Sequence, residues 1–332
     1  MEVARERVMK VCVVGAGAIG SFIGTHLARG SCELSALARG ATAAALRRHG
    51  FRLEQAGGLT TAPVRVVEDS AALGAQDLVV LAVKGPSLGR AAQKVTPLLG
   101  PDTMVLTAMN GVPWWYFLSA AGGACDGMRL ASVDPDGRIE VAIPGRLVIG
   151  CVVHATCSVV EPGLVRHGFG NELIIGEPGG EISARVTALA ELLRSAGFKT
   201  TVSARIQADI WYKLWGNMTM NPISALTGAT CDRILDDPLL NRYTLSIMAE
   251  AAAIGERIGC PISQSGEDRN AVTRKLGAFR TSMLQDAQAG RPLEIDALLT
   301  AVTEIGGKVG VPTPNTDALL GLVRVFEEAH HG

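Results

Sequence analysis

The segment Val11-Cys12-Val13-Val14-Gly15-Ala16-Gly17-Ala18-Ile19-Gly20 constrains the fold more than any other part of the chain. A short β-branched run ends in GxGxxG, and Ala18 to Arg29 then reads as a helix. Gly15 permits a tight turn, Gly17 lets backbone approach a pyrophosphate, and Gly20 lets the helix pack close to the strand. With Ala16, Ala18 and Ile19 between them, these residues form a candidate dinucleotide cradle. Among 39 glycines an isolated match would mean little, but this one sits in the first strand–turn–helix of an alternating pattern.

That alternation continues. Strands are predicted at Glu33 to Ala38, Leu78 to Val83 and Met104 to Thr107, with a helix from Leu88 towards Pro97. Arg52 to Glu54 and Val64 to Val67 flank Gly57-Gly58 and read as a hairpin. The pattern implies a parallel sheet with helices on its faces. From about Arg129 to Ile175, short strands separated by Pro-Asp-Gly and Pro-Gly turns are expected to extend that sheet. Glu181 to Ala196 returns to helix, and Lys199 to Val202 is the last strand read from the sequence. Beyond it, segments 206–220, 238–257, 264–289, 295–309 and 315–328 are all helix-like. The expectation is an α/β Rossmann-type dinucleotide-binding domain over 8–204, followed by an all-α domain over 205–330.

The end of the second strand selects the dinucleotide. A carboxylate there would grip the ribose 2′-hydroxyl of NAD. Leu34-Ser35-Ala36-Leu37-Ala38-Arg39-Gly40 offers Arg39 instead, and Glu33 stands at the wrong end. An arginine suits a 2′-phosphate through charge-assisted bonds, which favours NADP, although Arg39 also reads as an ordinary solvated strand-end residue.

Composition excludes other classes. Thirty-one Lys and Arg against 32 Asp and Glu, with no run of like charge, offer no electrostatic footprint for nucleic acid or an anionic membrane. The apolar stretch Leu78 to Val83 is far short of the about 20 residues a bilayer needs. Residues 1–7 carry acids and no apolar core, unlike a secretion signal. Seven scattered cysteines form no CxxC, and no His spacing fits zinc, so the expectation is a cytoplasmic chain with reduced thiols and no metal.

In the second half, Lys213, Asn217 and Asn221 recur every four residues and fall within about 80° of one helix face. Ile210, Trp211, Leu214, Trp215 and Met218 are apolar neighbours. The stripe fits a cleft lined by donors for a carboxylate and a reacting carbonyl. It equally fits a solvated face on which Asp209 and Lys213 pair. Asparagine is a poor helix-interior residue, and Pro222 disfavours helical geometry at Asn221, which leans towards the first reading.

Five ordered motifs resemble the ketopantoate reductase (2-dehydropantoate 2-reductase) family over essentially the whole chain. They are Gly15 to Gly20, Leu81-Ala82-Val83-Lys84, Asn110-Gly111-Val112-Pro113, and Lys213-Leu214-Trp215-Gly216-Asn217 running on to Asn221-Pro222. The fifth is Ser282-Met283-Leu284-Gln285-Asp286 followed by Glu294-Ile295-Asp296. The resemblance implies an NADPH-binding Rossmann domain before a helical domain, with the active site in the cleft between them. It implies that Lys213 is the general acid and that Glu294 holds the substrate's distal hydroxyl and orients the lysine. Asn217, Asn221 and Ser282 match substrate-contacting positions, and Lys84 and Asn110 match positions near the nicotinamide end. Taken singly, each is also an ordinary exposed residue type.

Three departures stand out: Ser87 where the family commonly has glutamine, and Phe279 and Cys231 where it has asparagine. The last two would make the substrate pocket more apolar. Three readings follow: an NADPH-dependent reductase of 2-dehydropantoate, a paralogue acting on another 2-oxo acid or branched oxo compound, and a non-catalytic NADP-binding redox sensor. A donor lysine paired with a carboxylate is superfluous in a sensor. Apolar surroundings would lower the lysine's pKa and a nearby Glu294 would raise it. A homodimer through the helical half is compatible with the resemblance, although no self-complementary patch stands out in the sequence.

Overall fold

The computed structural model describes residues 8–30, 32–118 and 125–331. Residues 1–7, read above as carrying no secretion signal, lie outside the described residues. The first elements are β1 (Met9–Val14), α1 (Ala18–Leu27), β2 (Cys32–Leu37), α2 (Gly40–His49), β3 (Phe51–Gln55), β4 (Gly58–Ala62), β5 (Arg65–Val67), β6 (Leu78–Leu81), α3 (Gly85–Val95) and β7 (Met104–Thr107). They continue with α4 (Arg138–Ala142), β8 (Val148–His154), β9 (Cys157–Glu161), β10 (Leu164–His167), β11 (Glu172–Gly176), α5 (Ala184–Ser195) and β12 (Lys199–Val202). The remainder is helical: α6 (Ile206–Thr227), α7 (Cys231–Asp236), α8 (Pro238–Arg257), α9 (Gly266–Arg274), α10 (Ser282–Gln288), α11 (Ala301–Val309) and α12 (Pro314–His331).

The chain divides into two compact units. The first takes residues up to Val83, Ser87–Met109 and Arg138–Ile206; the second takes Lys84–Pro86, Asn110–Gly137 and Gln207 onward. The second unit therefore draws two excursions from the α/β half of the sequence in addition to its helices.

In the first unit, eight strands run in the order β12-β11-β8-β7-β6-β1-β2-β5. All neighbours are parallel except β8 and β11. The chain builds outwards from β1 to β2 and β5, then returns to β6 on the other side of β1. This reversal is the switch point at which open α/β sheets bind ligands, outside the carboxyl ends of the strands. A second sheet, β4-β3-β10-β9, covers α1. Every residue of α1 from Gly20 to Leu27 is accordingly buried, and the Phe51 ring packs on Gly24.

The structure corrects several local expectations. Ala56-Gly57 is a two-residue turn that pairs Gln55 with Gly58, so the hairpin partner is β4 and not Val64 to Val67. Pro63 lacks the amide to continue β4, and Arg65–Val67 joins the large sheet beside β2. Of the four strands between residues 148 and 176, β8 and β11 extend that sheet and β9 and β10 join β3 and β4 in the second. The helix expected over 264–289 is two, α9 and α10, broken at Gly277 with φ +63° and restarted by the Thr281 cap. Asn221 is helical despite Pro222, because α6 continues to Thr227 with Met220, Ile223 and Ala225 buried around the proline. Short α2 and α7 lie where no element was expected.

Candidate active site

The first unit carries a cleft of about 380 Å³ at the switch point, within the range of roughly 300–1,000 Å³ typical of small-ligand sites. Gly15, Ala16 and Gly17 from the β1–α1 turn line it, with Arg39 and Thr42 at the start of α2 and Ser87 on α3. Each glycine has a separate geometric reason. Gly15 has φ +95°, and a Cβ on it would stand 2.6 Å from the Ala82 carbonyl oxygen. A Cβ on Gly20 would meet the Gly15 oxygen at 2.0 Å, so α1 can pack here only as glycine. A Cβ on Gly17 would meet nothing within 4 Å. Gly17 is also the N-cap of α1 and supplies no side-chain bond to the helix, leaving the first-turn amides for a ligand. An open backbone approach at a helix N-terminus, with Arg39 on the rim, fits a dinucleotide.

The second unit holds the polar residues of α6. Trp211 and Trp215 donate their indole N–H groups to the carbonyls of Ala251 and Met248 at 3.1 and 2.7 Å. These bonds pin the apolar side of α6 to α8, leaving Lys213 and Asn217 half-buried on a different face and Asn221 buried. Lys213 Nζ donates to Asn110 Oδ1 at 2.9 Å. Asn110 is held in turn by its loop: Gly111 has φ +78°, a Cβ there would meet the Ala297 oxygen at 2.4 Å, and the Val112 amide donates to that same oxygen at 2.8 Å. The acceptor belongs to a π-helical turn, Asp296–Thr300, a geometry often found at functional sites. The Asn-Gly pair is thus a docked loop rather than a free surface turn.

Glu294, just before that π turn, is buried and accepts from the Gly85 amide at 3.3 Å. Burial raises its pKa, and the Asp286 charge adds to the rise; the Gly85 amide, the Lys84 ammonium and an Asn110 side-chain bond oppose it. Asn110 thereby links Lys213 to Glu294. Lys84 forms an ion pair with buried Asp286, which Arg291 also holds from Nε at 2.9 Å. The structure thus brings together Lys84, Asn110, Lys213 and Glu294. Asn217 and Asn221 share α6 with Lys213, while Ser282 stands exposed in the first turn of α10 and its hydroxyl joins no hydrogen bond among the described residues. Asp286 and Arg291 were not assigned roles from sequence; Asp286 lies four residues after Ser282 in the quoted motif, which was the available signal. Of the three departures, Ser87 lines the nucleotide cleft. The Cys231 amide donates to the Phe279 carbonyl at 3.0 Å, so those two are neighbours. Burial pushes the Cys231 thiol up to about 11.

Among the described residues, no group of three or more His, Cys, Asp or Glu is placed to hold a metal, and no helix is long and apolar enough to cross a membrane. The sequence profile of the ketopantoate reductase PanE/ApbA family matches residues 11–180, and its C-terminal profile matches 205–327. The chain belongs to the ketopantoate reductase family. It is 47% identical over 317 residues to the 2-dehydropantoate 2-reductase of Mesorhizobium japonicum, covering 95% of this chain and 97% of that one. A crystal structure of a protein from Ralstonia solanacearum MolK2 superposes with a TM-score of 0.93 at 57% identity, covering 97% and 98%. The PanE/ApbA family ketopantoate reductase from Ralstonia eutropha JMP134 gives 0.83 at 26% identity, covering 98% and 100%. Both chain halves thus match their family counterparts, the fold is the ketopantoate reductase fold, and the chain is an oxidoreductase of the CH–OH class.

Proposed function

We propose that this chain reduces 2-dehydropantoate to pantoate with NADPH. The observation that carries the reading is the Lys213–Asn110–Glu294 set: an ammonium held at 2.9 Å by an amide that also bonds a buried carboxyl. Bound NADPH would supply a hydride to the 2-oxo carbon, turning its oxygen towards an alkoxide. That oxygen needs a proton, and Lys213 is a half-buried donor with three N–H groups on one rotatable nitrogen. Asn110 occupies one of them and fixes the direction of the others. Burial strengthens each such bond by lowering the local dielectric. Glu294 presents a carboxyl to the substrate's distal hydroxyl, and Asn217, Asn221 and Ser282 supply neutral donors to its carboxylate. Asp286 pairs with the Lys84 ammonium.

Arg39 on the cleft rim favours NADPH over NADH. Seven cysteines with free thiols fit the reducing cytoplasm. The test is cofactor oxidation followed by absorbance with a panel of 2-oxo acids. Oxidation of NADPH on adding 2-dehydropantoate supports the reading. Oxidation only with another oxo acid would assign a paralogue, and NADPH binding with no oxidation would assign a sensor.

A further inference from the structure

The cofactor cleft holds more positive charge than the glycine turn and Arg39 account for. Helix α3 buries Leu88, Ala92 and Val95. A separate stripe, Ser87, Arg90, Ala91 and Lys94, lines the cleft at the i, i+3, i+4, i+7 spacing of one helix face. Arg90 and Lys94 therefore border the same space as Arg39, which approaches from the start of α2. None of these three side chains makes an ion pair or hydrogen bond among the described residues. The cleft's one carboxylate, Glu68, is paired with Arg47 at 2.9 Å. Three uncompensated cations thus surround one pocket in a chain whose formal net charge is -1.

Charge accounting identifies what they await. The diphosphate common to NADH and NADPH carries about two negative charges, and the α1 amides are placed for it. A phosphate monoester adds about 1.5 to 2 more at neutral pH. Only the 2′-phosphate of NADPH supplies that second anion. A monoester presents three acceptor oxygens, enough for cations arriving from two different helices, and guanidinium groups suit it by their paired donors.

We infer that Arg90 and Lys94 on α3 join Arg39 in a three-cation clamp on the 2′-phosphate, so that cofactor choice is spread over two helices. The clamp rests on the NADPH reading above, and the experiment separates the two. NADPH, NADH and adenosine 2′-monophosphate are titrated into the full chain by calorimetry, for wild type, Arg90→Gln, Lys94→Gln, the double variant and Arg90→Lys. The double variant should bind NADPH and adenosine 2′-monophosphate on the order of ten- to a hundredfold more weakly and NADH within about twofold of wild type. Its log Kd for NADPH should also vary less steeply with log salt, and Arg90→Lys, which keeps the charge but loses the paired donors, should fall between wild type and Arg90→Gln. The substituted side chains are exposed, and an unchanged melting temperature confirms that the variants are folded. Equal weakening of NADPH and NADH would show that α3 meets a part common to both, and unchanged NADPH binding would show that it meets neither; each overturns the clamp. Wild type binding NADH as tightly as NADPH would overturn the clamp and the cofactor assignment together.

Discussion

Gly111→Ala tests whether Asn110 is held by a docked loop. Gly111 has φ +78°, where an L side chain costs about 1–2 kcal/mol. A Cβ there would also lie 2.4 Å from the Ala297 oxygen and 2.7 Å from its carbonyl carbon. Both are backbone atoms and cannot rotate away, and the Val112 amide bonds to that same oxygen at 2.8 Å. Forcing such a contact apart adds about 1–3 kcal/mol, as overpacking does. Gly310 is a matched control in the same unit: φ is +71°, and a Cβ would meet nothing within 4 Å. Gly310→Ala should therefore incur only the conformational cost. At about 2–4 °C per kcal/mol for a unit of this size, its melting temperature should fall by a few degrees and that of Gly111→Ala about twice as far. Turnover should fall in Gly111→Ala, as Asn110 loses its place beside Lys213, and hold in Gly310→Ala. Equal melting shifts with equal turnover in the two variants would refute the argument.

The glycine turn gives an opposed pair: Gly17→Ala should melt like wild type yet bind NADPH several-fold more weakly, because its Cβ enters open cleft, whereas Gly20→Ala should lose stability outright, its Cβ lying 2.0 Å from the Gly15 oxygen. Calorimetric titration and thermal melts separate these outcomes, and a destabilised Gly17→Ala would contradict the open geometry. His26 donates from Nδ1 to the Ala196 carbonyl at 3.0 Å, while its buried Nε2 has no partner among the described residues. Burial lowers its pKa, with nearby Arg29 and His167 lowering it further against the Ala196 bond. A base depressed in the folded state contributes stability that is present above its unfolded pKa of about 6.5 and lost as pH falls below it. The melting temperature should thus drop between pH 7.5 and 5.5 by more in wild type than in His26→Phe; parallel curves would remove His26 from the acid sensitivity. Glu294→Gln keeps shape and the Gly85 bond while losing charge; it should raise KM for the oxo acid more than Kd for NADPH, and the reverse ordering would displace Glu294 from the substrate end.

Much of this was legible in the sequence because it is local. Val11 to Gly20 specifies strand, turn and helix through residue types at fixed offsets, and β7 and α8 coincide with their expected bounds for the same reason. The α6 stripe was legible as a stripe but not as a site, since a surface pair with Asp209 explained it equally well. The stripe could not announce the Lys213–Asn110 bond, because that bond joins residues 103 positions apart. The excursion Asn110–Gly137 was assigned to the α/β half by continuity; it belongs with the helices because the Ala131 and Ser132 amides donate to Glu304 and Val112 to Ala297. The hairpin was misread because β-branched Val64 to Val67 outweighed the two-residue turn that fixes register. Arg90 and Lys94 went unread because two cations on an amphipathic helix look solvated until the cleft beside them is known.

Lys213 is the proposed proton donor, and one variant tests that role directly. Lys213→Ala should bind NADPH within about twofold of wild type by calorimetry while oxidising it with 2-dehydropantoate about 10²- to 10⁴-fold more slowly. Turnover at the wild-type rate would mean that the proton comes from elsewhere.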